Sequence, residues 1–136
     1  MNDYKKYLGI DWGEARIGLS LGENETKIVS PYKTVSSIDE ILRVIKEEEI
    51  DEIVVGKPYK MADSELQVSN DFLIFLDKFK EKINIPIHEI DERLTSVAAD
   101  GLVGNKKTKA GRDEIAAMII LQQYLDKLDE FCHPGA

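Results

Sequence analysis

At 136 residues the chain has enough sequence for one hydrophobic core and too little for two domains of ordinary size, so residues 1–136 are expected to form a single domain. Its composition, 43% hydrophobic and 32% charged, is that of a soluble globular protein, and no apolar run approaches the roughly 20 residues of a membrane span. A net charge of −8 argues against a protein that coats nucleic acid through a broad basic field. It leaves room for an enzyme that meets phosphate with a metal and a local basic patch.

In chain order, the opening "MNDYKK" lacks the apolar core of a secretory signal. "YKKYLGID" reads as a first strand and "RIGLSLG" as a second, from the alternation of Ile17, Leu19 and Leu21. "KIVSPYKTVS" is a third, pushed toward a sheet edge by Pro31. Short links between these three predict an antiparallel meander. The period then becomes helical in "SIDEILRVIKEEE", with Ser37 and Glu40 as a capping box. "DEIVVG" is a short, nearly all-apolar strand of the kind buried on both faces. "SELQVSNDFLIFLDKFKEK" is expected to be one helix opening at Ser64 and Gln67, and "IPIHEID" a fifth strand with His88 structural rather than catalytic. "TSVAADGLV" follows as a short helix capped by Thr95, Gly104 to Gly111 as a loop, and "RDEIAAMIILQQYLDKLDEF" as the last and longest helix. Helix-linked strands run parallel, which predicts an α/β fold: a five-stranded mixed sheet, antiparallel in strands 1–3 and parallel thereafter, flanked by helices. The single cysteine, Cys132, forms no internal disulfide and fits a reducing, cytoplasmic setting. Together with His133 it reads as an ordinary tail rather than a metal site.

Acidic residues stand where strands end. Asp11 closes the first strand, and Asp91 and Glu92 close the fifth. In open α/β sheets, sites gather beyond the carboxyl ends of the parallel strands. Asp113 opens the last helix on the stripe Asp113, Ala116, Ala117, Ile120, Leu121, Tyr124, whose small alanines allow a close approach to the sheet. Each acid also has a plainer role: Asp113 as a complement to the helix dipole, Asp11 as a turn residue, Glu92 as an ion-pair partner of Arg93. Several carboxylates converging on one sheet edge would repel one another unless a cation sat among them. The natural occupant is a hard divalent ion, Mg²⁺ or Mn²⁺.

Four segments, "GIDWGEARIGLS", "VVGKPYKMADSE", "DERLTS" and "GRDEIAAMIILQQYL", resemble the successive motifs of the YqgF family over essentially the whole chain. Its members are bacterial RNase H-like proteins described as Holliday junction resolvases and as nucleases maturing pre-16S ribosomal RNA. The resemblance implies an RNase H-like fold, an acidic triad at Asp11, Glu92 and Asp113, and metal-dependent phosphodiester hydrolysis leaving a 5′-phosphate and a 3′-hydroxyl. One or two ions fit such ligands; with two, Asp11 would bridge them, and Glu92 and Asp113 would hold one each. It also implies a nucleic-acid partner, with RNA in ribosomal precursor particles preferred and structured, four-way DNA second. The chain departs from the commoner family wording at Lys57 and at "KMADSE", where an Asn-Met-Asp-Gly type of segment is usual.

Candidate substrate-binding residues surround these acids. Arg16 and Arg93 suit a two-pronged grip on phosphate, or else hold the acidic cluster in shape. Lys106, Lys107, Lys109 and Arg112 precede Asp113 on a loop flanked by glycines, and Lys57 and Lys60 lie on the other loop at the same edge. The alternative for each lysine is a solvated surface. Two rival functions remain: a phosphotransferase of the actin and sugar-kinase superfamily, which needs two related domains and so is too long for this chain, and a non-catalytic nucleic-acid-binding module. Junction resolution would favour a homodimer over a monomer.

Overall fold

Two faces emerge from the first hairpin. A computed structural model describes residues 4–62, 65–91 and 112–131. In it β1 (Lys6–Trp12) pairs antiparallel with β2 (Ile17–Glu23), from Lys6 opposite Glu23 to Trp12 opposite Ile17. The link between them is tight enough that a Cβ on Gly13 would lie 2.8 Å from the Arg16 carbonyl oxygen. Edge strand β3 (Val29–Val35) pairs with β2 and shifts register between Leu19 and Ser20, where Pro31 comes opposite Ser20. Proline cannot donate to a ladder, so an edge and a bulge are where it fits.

The capping box forms as its sequence dictates. Ser37 accepts from the Glu40 backbone N–H, and the Glu40 carboxylate accepts from the Ser37 backbone N–H at 3.1 Å, starting α1 (Ile38–Glu47). The carboxyl of Glu40 is held below its ordinary range chiefly by the Ser36 backbone N–H. Then β4 (Glu52–Lys57) runs parallel beside β1, and β7 (Ile87–Asp91) runs parallel beside β4. The sheet order is β3-β2-β1-β4-β7, which is the mixed five-stranded sheet expected.

The segment before the second helix differs from expectation. Residues Tyr59–Ala62 and Glu65–Val68 form a separate antiparallel hairpin, β5 and β6, and helix α2 begins only at Asn70 and runs to Lys82. Leu66 and Val68 stand two apart, the strand period, whereas the buried helical stripe is Phe72, Phe75, Leu76 and Phe79 at i, i+3, i+4, i+7. The residue preceding the helix is therefore Ser69, and Ser64 lies outside the described residues. The expected helix from Thr95, the loop from Gly104 to Gly111 and the Cys132–His133 tail also lie outside them.

Side chains alternate between two cores. Leu8, Ile10, Leu19, Ile53 and Val55 pack against Ile41 and Val44 of α1 and the phenylalanine stripe of α2. On the opposite face Tyr7, Val54 and Ile90 pack against Ile120, Leu121 and Leu125 of α3 (Arg112–Phe131). Each fully buried Phe or Leu is worth roughly 1.5–3 kcal/mol relative to an exposed one, so both faces of the sheet are strongly specified.

Candidate active site

Asp11 sits next to last in β1 and is only 8% exposed. By the two-residue period it shares the α3 face with Tyr7 and Gly9. Its neighbour Trp12 faces the other way and packs on the rings of Phe72, at 5.8 Å, and Phe75, at 6.1 Å. That aromatic clamp fixes the end of the strand and, with it, the position of Asp11.

Asp113 reaches the same end through a row of small residues. The cross-strand partner of Asp11 is Gly18. A Cβ added to Gly18 would run into the backbone carbonyl of Asp113. One turn along the helix, Ser20 Oγ donates to the Ala117 carbonyl at 2.8 Å, and a Cβ on Gly9 would lie 2.7 Å from the same carbonyl oxygen. One turn further, a Cβ on Gly22 would come 3.1 Å from the Leu121 side chain. Asp113, Ala117 and Leu121 are a single i, i+4, i+8 row, seated on Gly18, Ser20 and Gly22. The helix thus runs antiparallel to β1 with its N-terminus at the strand's C-terminal end. Of the expected inward stripe, Ala116, Ala117, Ile120 and Leu121 are buried and Asp113 and Tyr124 half-buried, and Ile115 and Leu125 are buried beside it.

Two further contacts hold this corner. Arg16 Nε lies 3.4 Å from Asp113 Oδ2, with the arginine side chain 73% exposed and the aspartate 30%. Thr34 Oγ1 of the edge strand donates to Glu114 Oε2 at 2.9 Å. Both bonds tie the first turn of α3 to the meander.

The remaining expected residues divide. Asp91 ends β7 opposite Lys57, and by alternation both lie on the α2 face rather than with Asp11. Lys57 Nζ pairs with Glu89 at 3.4 Å, a carboxylate it shares with Lys80. Lys60 lies on the β5–β6 hairpin, and Arg112 opens α3 as an exposed residue. Glu92, Arg93, Lys106, Lys107 and Lys109 lie outside the described residues. The row Gly18, Ser20, Gly22 was missing from the expected site, yet "GLSLG" carries the signal: small residues at period two on one face of a core strand ask for something to lie directly against it.

At the other end of this face, Glu52 is buried and holds Lys5 Nζ at 2.7 Å and His88 Nε2 at 2.5 Å. Burial alone would raise the Glu52 carboxyl, but the hydrogen bonds from Lys5 and His88 outweigh it and hold the group below its ordinary range. His88 stacks on Tyr124 with ring centroids 4.6 Å apart, a packing role far along the strands from Asp11.

Among the described residues no group of three metal-ligating side chains forms. Asp11 and Asp113 bring two carboxylates to one corner, and such hard oxygen donors suit Mg²⁺ or Mn²⁺ rather than a softer ion.

A family model described as RuvX, Holliday junction resolvase, matches residues 5–127. A Chloroflexus aurantiacus protein named "Putative pre-16S rRNA nuclease" is 35% identical over 137 residues, covering 93% of this chain and 89% of its own length. A Natranaerobius thermophilus protein of the same name is 31% identical over 134 residues, covering 90% and 94%. Among solved structures, Thermus thermophilus RuvC superposes with a TM-score of 0.62 at 14% identity, over 92% of this chain and 96% of that one. Fowlpox virus resolvase, solved with Holliday junction DNA, gives 0.54 at 10% identity, over 90% and 98%. The fold is RNase H-like.

Proposed function

The chain belongs to the RuvX family, described as Holliday junction resolvase, and on that premise we propose that it is a metal-dependent nuclease with Asp11, Glu92 and Asp113 as its carboxylates. One observation carries the reading: Gly18, the cross-strand partner of Asp11, is the seat of Asp113. Carboxylates on different elements come together there because small side chains let the helix descend. A bound Mg²⁺ or Mn²⁺, one ion or two, would polarise a phosphoryl oxygen and acidify a bound water. The protein's own part is to hold the ligands rigidly, through the Trp12 clamp and the seat of Asp113 on Gly18, and to grip substrate phosphates. In this reading Arg16, paired with Asp113, and the adjacent Arg112 serve that grip, and Arg93, Lys106, Lys107, Lys109, Lys57 and Lys60 are assigned to it from the sequence.

The preferred substrate is pre-16S ribosomal RNA, which the relatives carry in their names, and the reading extends this to its 5′ end in a cytoplasmic ribosomal precursor particle. Four-way DNA is the second reading, favoured by the family description and by the likeness to resolvases. It would call for a homodimer, since two symmetric cuts suit two-fold symmetry. Among the described residues no helix is long and apolar enough to cross a membrane.

The test is cleavage of a precursor ribosomal RNA fragment and a four-way DNA junction side by side, in Mg²⁺, Mn²⁺ or EDTA, with Asp11→Asn as control. Cutting of one substrate that needs both metal and Asp11 establishes the nuclease and chooses its substrate. Failure of well-folded protein to cut either one favours a binding module of the same fold.

A further inference from the structure

Arg16 combines a fixed backbone with a free side chain. Its carbonyl packs so closely on Gly13 that a Cβ there would lie 2.8 Å from the oxygen, and the next residue, Ile17, is already paired with Trp12. Its guanidinium nevertheless stands mostly in solvent and touches Asp113 through Nε at 3.4 Å. An ion pair of that length and exposure is weak, at most about a fivefold effect on an equilibrium. It is strong enough to neutralise a carboxylate and weak enough to be exchanged. Asp113 is also the carboxylate that the reading above assigns to the metal, and a guanidinium and a divalent cation cannot share it without repulsion.

We infer that Arg16 is the counter-ion of Asp113 that a divalent cation displaces, and that displacement frees the guanidinium to bind a substrate phosphate. This inference rests on Asp113 being a metal ligand. The same side chain thereby occupies the site in the absence of metal and the substrate in its presence. Arginine suits both states, since its planar fork accepts carboxylate and phosphate alike and never loses its charge. Metal and nucleic acid then bind with reciprocal coupling, part of which passes through Arg16.

The experiment is calorimetric titration of the full chain with MnCl₂, without nucleic acid, for wild type, Arg16→Gln, Arg16→Lys and Asp113→Asn. Arg16→Gln should bind Mn²⁺ roughly two- to fivefold more tightly than wild type, the range an exposed ion pair supports, and Arg16→Lys should fall between them. Fluorescence anisotropy of a short labelled RNA, with and without Ca²⁺, reads the second half. The Ca²⁺-dependent gain in RNA affinity should shrink about threefold or more in Arg16→Gln and be partly restored in Arg16→Lys. Unchanged or weaker Mn²⁺ binding by Arg16→Gln, alongside lost binding by Asp113→Asn, overturns the inference and leaves the metal site standing. Mn²⁺ binding by Asp113→Asn equal to wild type overturns both.

Discussion

Ser20 Oγ donates to the Ala117 carbonyl at 2.8 Å, one helical turn from where Gly18 meets Asp113. The two contacts do different work. The serine adds a bond to a helix that would lie there anyway, whereas the glycine sets how deep the helix N-terminus sits. Position in the row, rather than burial, decides which one the chemistry depends on.

Gly18→Ala should therefore separate the two effects. Its methyl group has no room beside the Asp113 backbone, and overpacking of this kind costs about 1–3 kcal/mol. The helix must lift at its first turn, and a displacement of ~1 Å at a reacting site lowers rates on the order of 100-fold. Ser20→Ala should cost only about 1 kcal/mol and keep near-wild-type cleavage. Thermal unfolding and cleavage rates of the two variants check this, and a Gly18→Ala protein that cuts at the wild-type rate refutes the seat.

Asp113→Asn distinguishes a metal ligand from a helix-dipole residue. If the charge served only the dipole, the variant would lose about 0.3–1 kcal/mol of stability and retain activity. As a ligand, its loss should lower metal-dependent cleavage by more than the roughly 10–100-fold typical of residues that merely support ligands. Stability and rate are measured on the same preparation, and full activity in a folded variant sinks the assignment.

Much of this architecture was legible because periodicity and caps agreed. The last helix was expected over 112–131 and is observed there, with Ala116, Ala117, Ile120 and Leu121 turned inward. Pro31 located the edge strand, and Ser37 with Glu40 located the start of α1. The β5–β6 hairpin was not legible, because Ser64 and Gln67 imitate a capping box and the helical stripe beginning at Phe72 extends the pattern backward over them. At the site, Asp11 could be placed by its strand end. Its approach to Asp113 depended on what the helix rests against, and that lay in glycines and a serine that a search for chemically active side chains passes over. Strand position alone did not separate Asp91 from Glu92, and it was the family resemblance that chose Glu92; the observed register puts Asp91 on the α2 face.

The Glu52 cluster predicts an acid limb of stability. Its carboxyl is held below its ordinary value of 4.5, with the hydrogen bonds from Lys5 and His88 outweighing burial. A depressed carboxyl contributes fully above the ordinary value, and that contribution is lost as pH falls from there through the depressed one. Glu40 and Glu48 are depressed as well, by Ser36 and Lys6 respectively, so wild type alone cannot isolate the effect. Glu52→Gln should be less stable than wild type near neutrality and converge toward it below pH 4.5. Denaturant unfolding across that range checks the sign, and a constant difference at every pH rejects it.

The basic run before α3 predicts a change in salt dependence. Lys107 and Lys109 precede Asp113 in the sequence, and a contact from each to the substrate backbone would release one counterion per phosphate. For single-stranded RNA each contact contributes about 0.7 to the slope of log affinity against log salt, so Lys107→Ala with Lys109→Ala should flatten it by about 1.4. Affinity should fall most at low salt and differ least at high salt, because screening already suppresses the wild-type contacts there. A net charge of −8 sharpens the expectation, since the rest of the surface repels the substrate and the local patch must overcome that field. Binding of labelled RNA over a series of KCl concentrations measures both slopes. Parallel lines, displaced or not, would mean that these lysines face water and that the phosphate grip lies elsewhere, with Arg16 and Arg112 the next residues to replace.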